Sequence, residues 1–430
     1  MSRPAHRHGM AQRFGWYPKD FFQSLSGRQV FWIHASSVGE VLMSRSLVGS
    51  IKERYPKARI IYSTVTSTGK SAVLHQIKDI DLCIYLPLDL FWPVRSLVRK
   101  IGPDCFIFLE TEIWPNLLLA LSARGCPSLM MNGRISATSF PKYRMLRPFL
   151  SVVLKEVRLF LMQTKRDVER IVDLGAPPER VFCTGNMKYD EAASSMESGT
   201  GSGPNGPITR SHLGLSDMAR VMIAGSTRSG EEEAVLHAYR ILRSSLSNLV
   251  LVLAPRHLQR LETIEQLVTE EGLLPVRRQC IKTPSILPSD TEGVVILLDT
   301  LGELSRIYPI GELIFVGGSL VPKGGHNVLE PASHRKPVFF GPSVSNFHEI
   351  ADQLIRSGGG IQVTDGEEMG KQMQWLSEHP KAYRKAGESA YLVVMNNRGA
   401  VQRNMERLSA LLEKEENEAE APLYEEGGAS

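Results

Sequence analysis

Residues 317–331, GGSLVPKGGHNVLEP, hold the densest set of groups able to grip an anion. Glycines at 317, 318, 324 and 325 let the backbone turn tightly and approach a ligand closely. Lys323 adds a cation, His326 and Asn327 add donors, and Glu330 suits a ribose hydroxyl. Residues 328–333 can start a helix whose free N–H groups and positive dipole end favour an anion. Pro331 is tolerated in its first turn. A plain strand-to-helix crossover would need the glycines but not the polar cluster, so the pattern predicts a phosphate site.

Other chemically competent residues also follow apolar runs. Ala35-Ser36-Ser37-Val38-Gly39-Glu40 follows one of them. A serine there can cap the next helix, and Glu40 is either a base or a first-turn acid complementing the helix dipole. Glu110-Thr111-Glu112 ends another run ahead of Pro115. Residues i and i+2 share a face only while the chain stays extended, so both acids point one way unless the chain turns after Glu110. Lys188, in GNMKYD, is either a surface cation or one that reaches an anion. Ser226, Thr227 and Arg228 form a small hydroxyl-rich turn, with 231–233 opening a helix. Pro255-Arg256-His257 places a planar guanidinium where a phosphate could be clamped, and 300–304 ends a further run. Four such run ends in the second half point to a nucleotide.

Three motifs are discounted. TVTSTGKS, residues 64–71, ends like a P-loop but has Thr64 where glycine is required. Asp79 and Asp81 precede their strand, at the wrong end for a ligand. His34, His257 and His326 lack zinc spacing, so no metal or other cofactor is expected.

The elements that must carry these groups are strands at 30–34, 59–63, 82–86, 105–109, 128–131, 159–162 and 181–184, with helices at 41–55, 93–100, 116–124 and 167–174 between them. After a Ser/Gly/Pro-rich stretch, strands resume at 221–224, 249–254, 294–298, 313–316, 338–340 and 360–363, with helices at 231–245, 258–271 and 347–356. Continuous apolar strands alternating with helices predict α/β architecture with parallel sheets covered on both faces. Ligands in such sheets bind outside the carboxyl ends of the strands. The expected organisation is a first domain over 1–190, a linker over 191–207, a second domain over 208–380, a helix over 381–412 and a disordered acidic tail over 413–430.

A net charge of +4 is too small to argue for a nucleic-acid partner, and no apolar run reaches a membrane-spanning length. Five scattered cysteines without a CxxC read as free thiols of a reducing cytoplasm. Residues 1–27 interleave basic groups with Phe14, Trp16, Tyr17, Phe21 and Phe22, a composition that suits a membrane surface or aromatics packed on the domain.

The series HASSVGEV, STVTSTG, ETEIWPN, NGRIS, TGNMKYD, IAGST, APRH, DTLGEL and FVGGSLVPKGGHNVLEP, in order between about Gln12 and Arg356, closely resembles the Kdo (3-deoxy-D-manno-octulosonic acid) transferases of lipopolysaccharide synthesis. The resemblance implies a GT-B fold, two Rossmann-like domains facing a cleft, with the acceptor on the first and the CMP-sugar on the second. It implies inverting, metal-independent transfer of Kdo from CMP-Kdo to lipid IVA, at the cytoplasmic face of the inner membrane. By the same resemblance Glu40 is the proton acceptor, and Glu110 and Lys188 stabilise the transition state. CMP contacts fall on Pro255, Arg256, Leu301, Gly302, Glu303, Asn327, Val328, Leu329 and Glu330. Ser226, Thr227, Lys323, Gly325 and His326 are candidate donor-phosphate or sugar contacts. A GT-B transferase using another nucleotide sugar, or a non-catalytic nucleotide- or lipid-A-binding relative, are the alternatives. The family usually opens with a hydrophobic anchor helix, where this chain opens MSRPAHRHGM, so peripheral attachment is expected. The acid-free run 134–147, with Lys142 and Arg144, would attract anionic head groups. Arg228-Ser229 stands where the family often has His-Glu, and Leu258-Gln259 where it has Pro-Glu.

Overall fold

Seven short apolar runs in the first half pair as a parallel sheet: β1 Val30–His34, β2 Arg59–Thr64, β3 Leu82–Tyr85, β4 Cys105–Leu109, β5 Ser128–Gly133, β6 Leu159–Met162 and β7 Val181–Cys183, in spatial order β3-β2-β1-β4-β5-β6-β7. The computed structural model describes residues 9–198, 206–246, 248–281 and 293–420. Every residue of β1 is buried, because helices cover both faces: Trp32 joins one apolar cluster, and Phe31 and Ile33 the other. That two-sided burial explains why the strands are continuous rather than alternating runs. β1 lies between β2 and β4, so the strand order reverses at β1/β4 and leaves a crevice at their carboxyl ends.

The second half repeats the plan with β8 Arg220–Thr227, β9 Leu249–Pro255, β10 Leu274–Arg277, β11 Val294–Leu297, β12 Leu313–Val316, β13 Val338–Phe340 and β14 Gly360–Gln362. Their order is β10-β11-β9-β8-β12-β13-β14, all parallel, with the reversal at β8/β12. β10 has no counterpart among the expected strands. It is a four-residue edge strand containing Pro275, with none of its residues fully buried, so it lacks an apolar run. The helix Gly366–Glu378 was likewise not expected; Gly370 brings it close to Ala238 and Ile241 of the helix Glu232–Arg243.

Three expectations about the connections are corrected. The linker expected over 191–207 is helical in its first part, because the helix Lys188–Ser198 continues through it with Asp190 and Glu191 in its first turn and Ala192 and Ala193 buried. Residues 199–205 lie outside the described residues. The single helix expected over 381–412 is two, Pro380–Asn396 and Ala400–Glu420, broken at Gly399 with φ 91°. The second of these runs on through 413–420, where disorder was expected: Glu413 pairs with Arg54 and Glu415 with Arg158. Residues 421–430 lie outside the described residues.

By contacts the chain forms two units, Met1–Glu191 with Arg398–Ser430, and Ala192–Asn397. The helix Ala400–Glu420 therefore belongs to the first unit. Ala400, Val401, Met405, Leu408 and Leu412 are part of that unit's core beside Leu47, Val48 and Ile51. Burying each of the larger side chains contributes roughly 1.5–3 kcal/mol. Asp190 fixes the helix's start, accepting from Gly399 N–H at 2.6 Å and Val401 N–H at 3.1 Å. Arg403 Nε donates to Thr184 carbonyl at 2.8 Å. Asp190→Ala leaves both amides without this acceptor, and chemical denaturation of the full chain should show a loss of about 1–2 kcal/mol, the scale of a deleted helix cap. An unchanged midpoint would mean that the apolar contacts alone hold the helix.

The N-terminal aromatics divide. Tyr17, Phe21 and Phe22 contact one another and pack against the core, whereas Trp16 is 73% exposed. All five cysteines are free thiols, and burial raises the pKa of Cys105 and Cys126. Among the described residues no helix is long and apolar enough to cross a membrane.

Candidate active site

At the carboxyl end of β1 the chain enters the helix Val38–Met43, capped by Ser37, whose Oγ accepts from Glu40 N–H at 3.2 Å. The cap folds Glu40 back over the loop. Ser37 Oγ–H donates to one carboxylate oxygen at 2.6 Å and Ser36 N–H to the other at 2.9 Å. Glu40 is only 8% exposed. Burial, then repulsion from Glu110, push its pKa up to about 7, against the lowering effect of the Ser37 and Ser36 bonds. A first-turn acid serving only the helix dipole would be solvated; this one is buried and poised for proton transfer near neutrality.

β4 ends at Leu109, and Glu110 adopts φ 52°, so the chain turns there and the two acids of the ETE motif diverge. Glu110 pairs with Lys188, Oε1 to Nζ 3.3 Å. Glu112 instead accepts from Trp114 Nε1–H at 3.0 Å and lies 3.5 Å from Nε2 of the fully buried His34. Burial alone would raise the Glu112 pKa; His34 and Trp114 outweigh it and hold the carboxyl below its ordinary value. The left-handed backbone at Glu110 is strained for a non-glycine residue, and strain of that kind collects at functional sites.

Lys188 stands at the start of its helix through polar residues that sequence reasoning missed. Asn132, at φ 54° and in a bulge between β5 and β6, accepts from Met187 N–H at 2.9 Å through its side chain. Gln163 donates to Asn132 carbonyl at 2.9 Å and accepts from Asn186 Nδ2–H at 2.9 Å, and Asn186 Oδ1 accepts from Lys188 N–H at 3.0 Å. The NGRIS and TGNMKYD segments marked the places, but nothing in the one-dimensional pattern shows that 132, 163 and 186 meet. Glu40, Glu110 and Lys188, widely separated in sequence, are brought together in the first unit.

In the second unit the loop 317–331 departs from the end of β12, and Gly317 N–H donates to Gly225 carbonyl of β8 at 2.8 Å. Its shape depends on Glu231, fully buried, which the sequence marks only as one of three acids opening a helix. One carboxylate oxygen accepts from Gly318 N–H at 2.6 Å and Arg228 N–H at 2.8 Å, the other from Ser319 and Leu320 N–H at 2.9 Å each. Gly318 has φ 71°, and a Cβ there would fall 2.8 Å from the His326 ring. The helix beyond the loop is only five residues, Leu329–Ser333, so its dipole is a weak anion site and the side-chain cations matter more than expected.

Those cations lie at adjacent strand ends. β8 and β9 shift register between Gly225 and Thr227, and Ser226, at φ 58°, occupies the bulge. Arg228 follows, donating from Nε to His326 Nε2 at 3.2 Å and from Nη1 to His257 Nε2 at 2.6 Å. Burial, then the charges of Arg256 and Arg228, push the His326 pKa down to about 4; burial and the same arginines lower His257. Both imidazoles are therefore neutral acceptors at pH 7. Pro255 ends β9 and Arg256 is exposed beside it. After β11, Leu301 is 84% exposed, Gly302 has φ 82°, and Glu303 Oε2 lies 3.4 Å from Arg278 Nε. Asn327 donates to Glu330 Oε1 at 3.0 Å and accepts from Leu329 N–H at 3.1 Å, while Val328 and Leu329 are buried. Lys323 is exposed, and Gly325 N–H donates to Gly318 carbonyl at 2.7 Å. Thr227 is fully buried.

Two doubly wound parallel sheets, one with a buried glutamate beside an acid–lysine pair and one with a cationic glycine-rich loop at its switch point, make up a GT-B-type fold. Solved structures agree on the fold: a UDP-GlcNAc 2-epimerase from Neisseria meningitidis bound to UDP-GlcNAc superposes with TM-score 0.62 at 14% identity, over 89% of this chain and 100% of that one. A glycosyltransferase from Rickettsia africae gives TM-score 0.58 at 12% identity, over 90% of this chain and 99% of that one. Residues 8–191 match the family described as 3-deoxy-D-manno-octulosonic-acid transferase (kdotransferase). The 3-deoxy-D-manno-octulosonic acid transferase of Haemophilus influenzae is 33% identical over 96% of this chain and 93% of its own length. The chain belongs to the Kdo transferase family, glycosyltransferases of lipopolysaccharide biosynthesis.

Proposed function

We propose that this enzyme transfers Kdo from CMP-Kdo to lipid IVA, with inversion and without a metal ion. The observation that carries this reading is Glu40: a buried carboxylate with pKa about 7, held by Ser36 and Ser37 next to Glu110. A general base works best when its pKa lies near the working pH. Glu40 takes the proton of the attacking lipid hydroxyl as that oxygen bonds to the anomeric carbon, and CMP departs from the opposite face. Lys188, held by Glu110, balances the negative charge that develops on the reacting groups.

The donor is held by the second unit. Pro255, Arg256 and residues 301–303 and 327–330 take CMP, while Ser226, Thr227, Lys323, Gly325 and His326 surround its phosphate and sugar. Arg256 supplies a cation for the departing phosphate.

For the acceptor and the membrane, support comes from exposed apolar residues in two segments of the first unit. Leu90, Phe91 and Trp92 are 52%, 51% and 78% exposed at the start of the helix Phe91–Ile101, and Met145, Leu146 and Phe149 are 83%, 56% and 56% exposed. Exposed Lys142, Arg144 and Arg147 accompany them. Large exposed apolar groups among cations suit an acylated, phosphorylated acceptor at an anionic bilayer. We place the enzyme peripherally on the cytoplasmic face of the inner membrane.

The test is transfer in vitro, with CMP-Kdo generated in situ and lipid IVA followed by mass spectrometry. A product heavier by whole Kdo units is the expected result. An unshifted acceptor from protein that also fails to bind CMP would overturn the reading.

A further inference from the structure

The bulge at Ser226 turns the chain sharply out of β8, and the next side chain but one, Arg228, is fixed at both ends. Its backbone N–H is held by Glu231, the same carboxylate that shapes residues 318–320. Its guanidinium is oriented by two imidazoles from neighbouring strand ends, His326 after β12 and His257 after β9. Both imidazoles are neutral, so neither repels the guanidinium nor offsets its charge. Arg220, Arg240, Arg260, Arg277 and Arg335 of the same unit each pair with a glutamate. Among the described residues, Arg228 and Arg256 have no carboxylate within ion-pair distance; Arg210 and Arg306 also lack one but donate to backbone carbonyls, and Arg243 lies over the Tyr239 ring. Glu231 is occupied by four backbone donors.

A guanidinium has five N–H groups in a planar fork, and the two histidines take two of them. The others form an oriented donor set with no carboxylate in ion-pair contact, at the switch point of the sheet, where ligands of such folds bind. Arginine stays protonated even where burial and Arg256 lower its pKa, so the charge is permanent.

We propose that Arg228 is a further donor-binding residue whose guanidinium receives an oxyanion of the nucleotide sugar, its phosphate or its sugar carboxylate. This rests on the donor site proposed above. His257 is a positioning residue, and His326 both aims the fork through Nε2 and borders the donor as proposed above. Such an arrangement differs from an unpartnered surface arginine, because the two imidazoles already hold the guanidinium, and preorganised binding loses less free energy to ordering.

Binding of cytidine, CMP and UMP to the full chain, by calorimetry, is compared for the wild type, Arg228→Gln and Arg228→Lys, together with the KM for CMP-Kdo. If the fork grips phosphate, Arg228→Gln weakens CMP roughly 10- to 100-fold, the scale of a charged hydrogen bond, and leaves cytidine unchanged. If it grips the carboxylate, CMP is unchanged and the KM for CMP-Kdo rises by that factor. Arg228→Lys, which keeps the charge but not the fork, falls between. CMP affinity and donor KM both within about twofold of wild type, in a glutamine variant that melts like the wild type, overturn the proposal. Tighter wild-type binding of UMP, lost on the same substitution, keeps the role of Arg228 and removes the CMP reading. A wild type that binds neither nucleotide overturns both.

Discussion

Glu40→Gln should lower Kdo transfer by roughly 10²–10⁴-fold, the range attributable to a positioned general base. CMP affinity should stay within about twofold of the wild type, because the proposed nucleotide contacts belong to the other unit. The wild-type rate should rise with pH up to about 7 and level off above it, since only the ionised carboxylate accepts a proton. A stability change goes with it. The Glu40 pKa lies above its unfolded value of 4.5, so the folded state favours the protonated form. The stabilisation is complete below about 4.5 and is lost as pH rises through about 7, with a total on the order of 3 kcal/mol. Glutamine mimics the protonated acid at every pH. The variant should therefore be more stable than the wild type at pH 8 by up to that amount, the gap closing toward pH 4.5. Full activity in Glu40→Gln, or a rate independent of pH between 5 and 8, would remove Glu40 as the base.

Glu231→Ala should collapse the donor loop. It strips the acceptor from four backbone N–H groups, those of Arg228, Gly318, Ser319 and Leu320. Removing one side of a buried charged arrangement costs roughly 3–5 kcal/mol, because the abandoned donors stay desolvated. Thermal melting should show the loss, and CMP binding should fall below detection even at temperatures where the fold survives. Glutamine should rescue little: each carboxylate oxygen takes two N–H groups, and an amide NH₂ in place of either would face two donors. A glutamine variant with near wild-type CMP affinity would show that the loop holds its shape without this carboxylate.

The sheets were legible because their central strands are buried on both faces, which writes an uninterrupted apolar run into each, such as FWI in β1 or LIFV in β12. β10 left no such mark because its edge position asks little of LPVR. The strand-end position of Glu40, Glu110 and Lys188 could be read from the pattern, and their roles entered through family resemblance. Their meeting could not be read, since it depends on the turn at Glu110 and on side chains from three separate segments. Glu231 was the largest omission. Three consecutive glutamates stand there, two of them, Glu231 and Glu232, fully buried, and no spacing rule tells which one reaches the glycine-rich loop. Arg228 was visible as a departure from the family motif, but its two imidazole partners come from distant segments.

The return of the helix Ala400–Glu420 to the first unit sets an order on how the protein is made. On a ribosome, the first unit up to Glu191 emerges before the second, yet the apolar positions that take Val401, Met405 and Leu408, Leu47, Val48 and Ile51 among them, lack this last cover until the whole of residues 192–397 has been synthesised. The second unit is one uninterrupted stretch and has all its own strands before that helix exists. The half begun first is thus the half finished last, and its apolar face waits through the interval in which chaperones bind nascent chains.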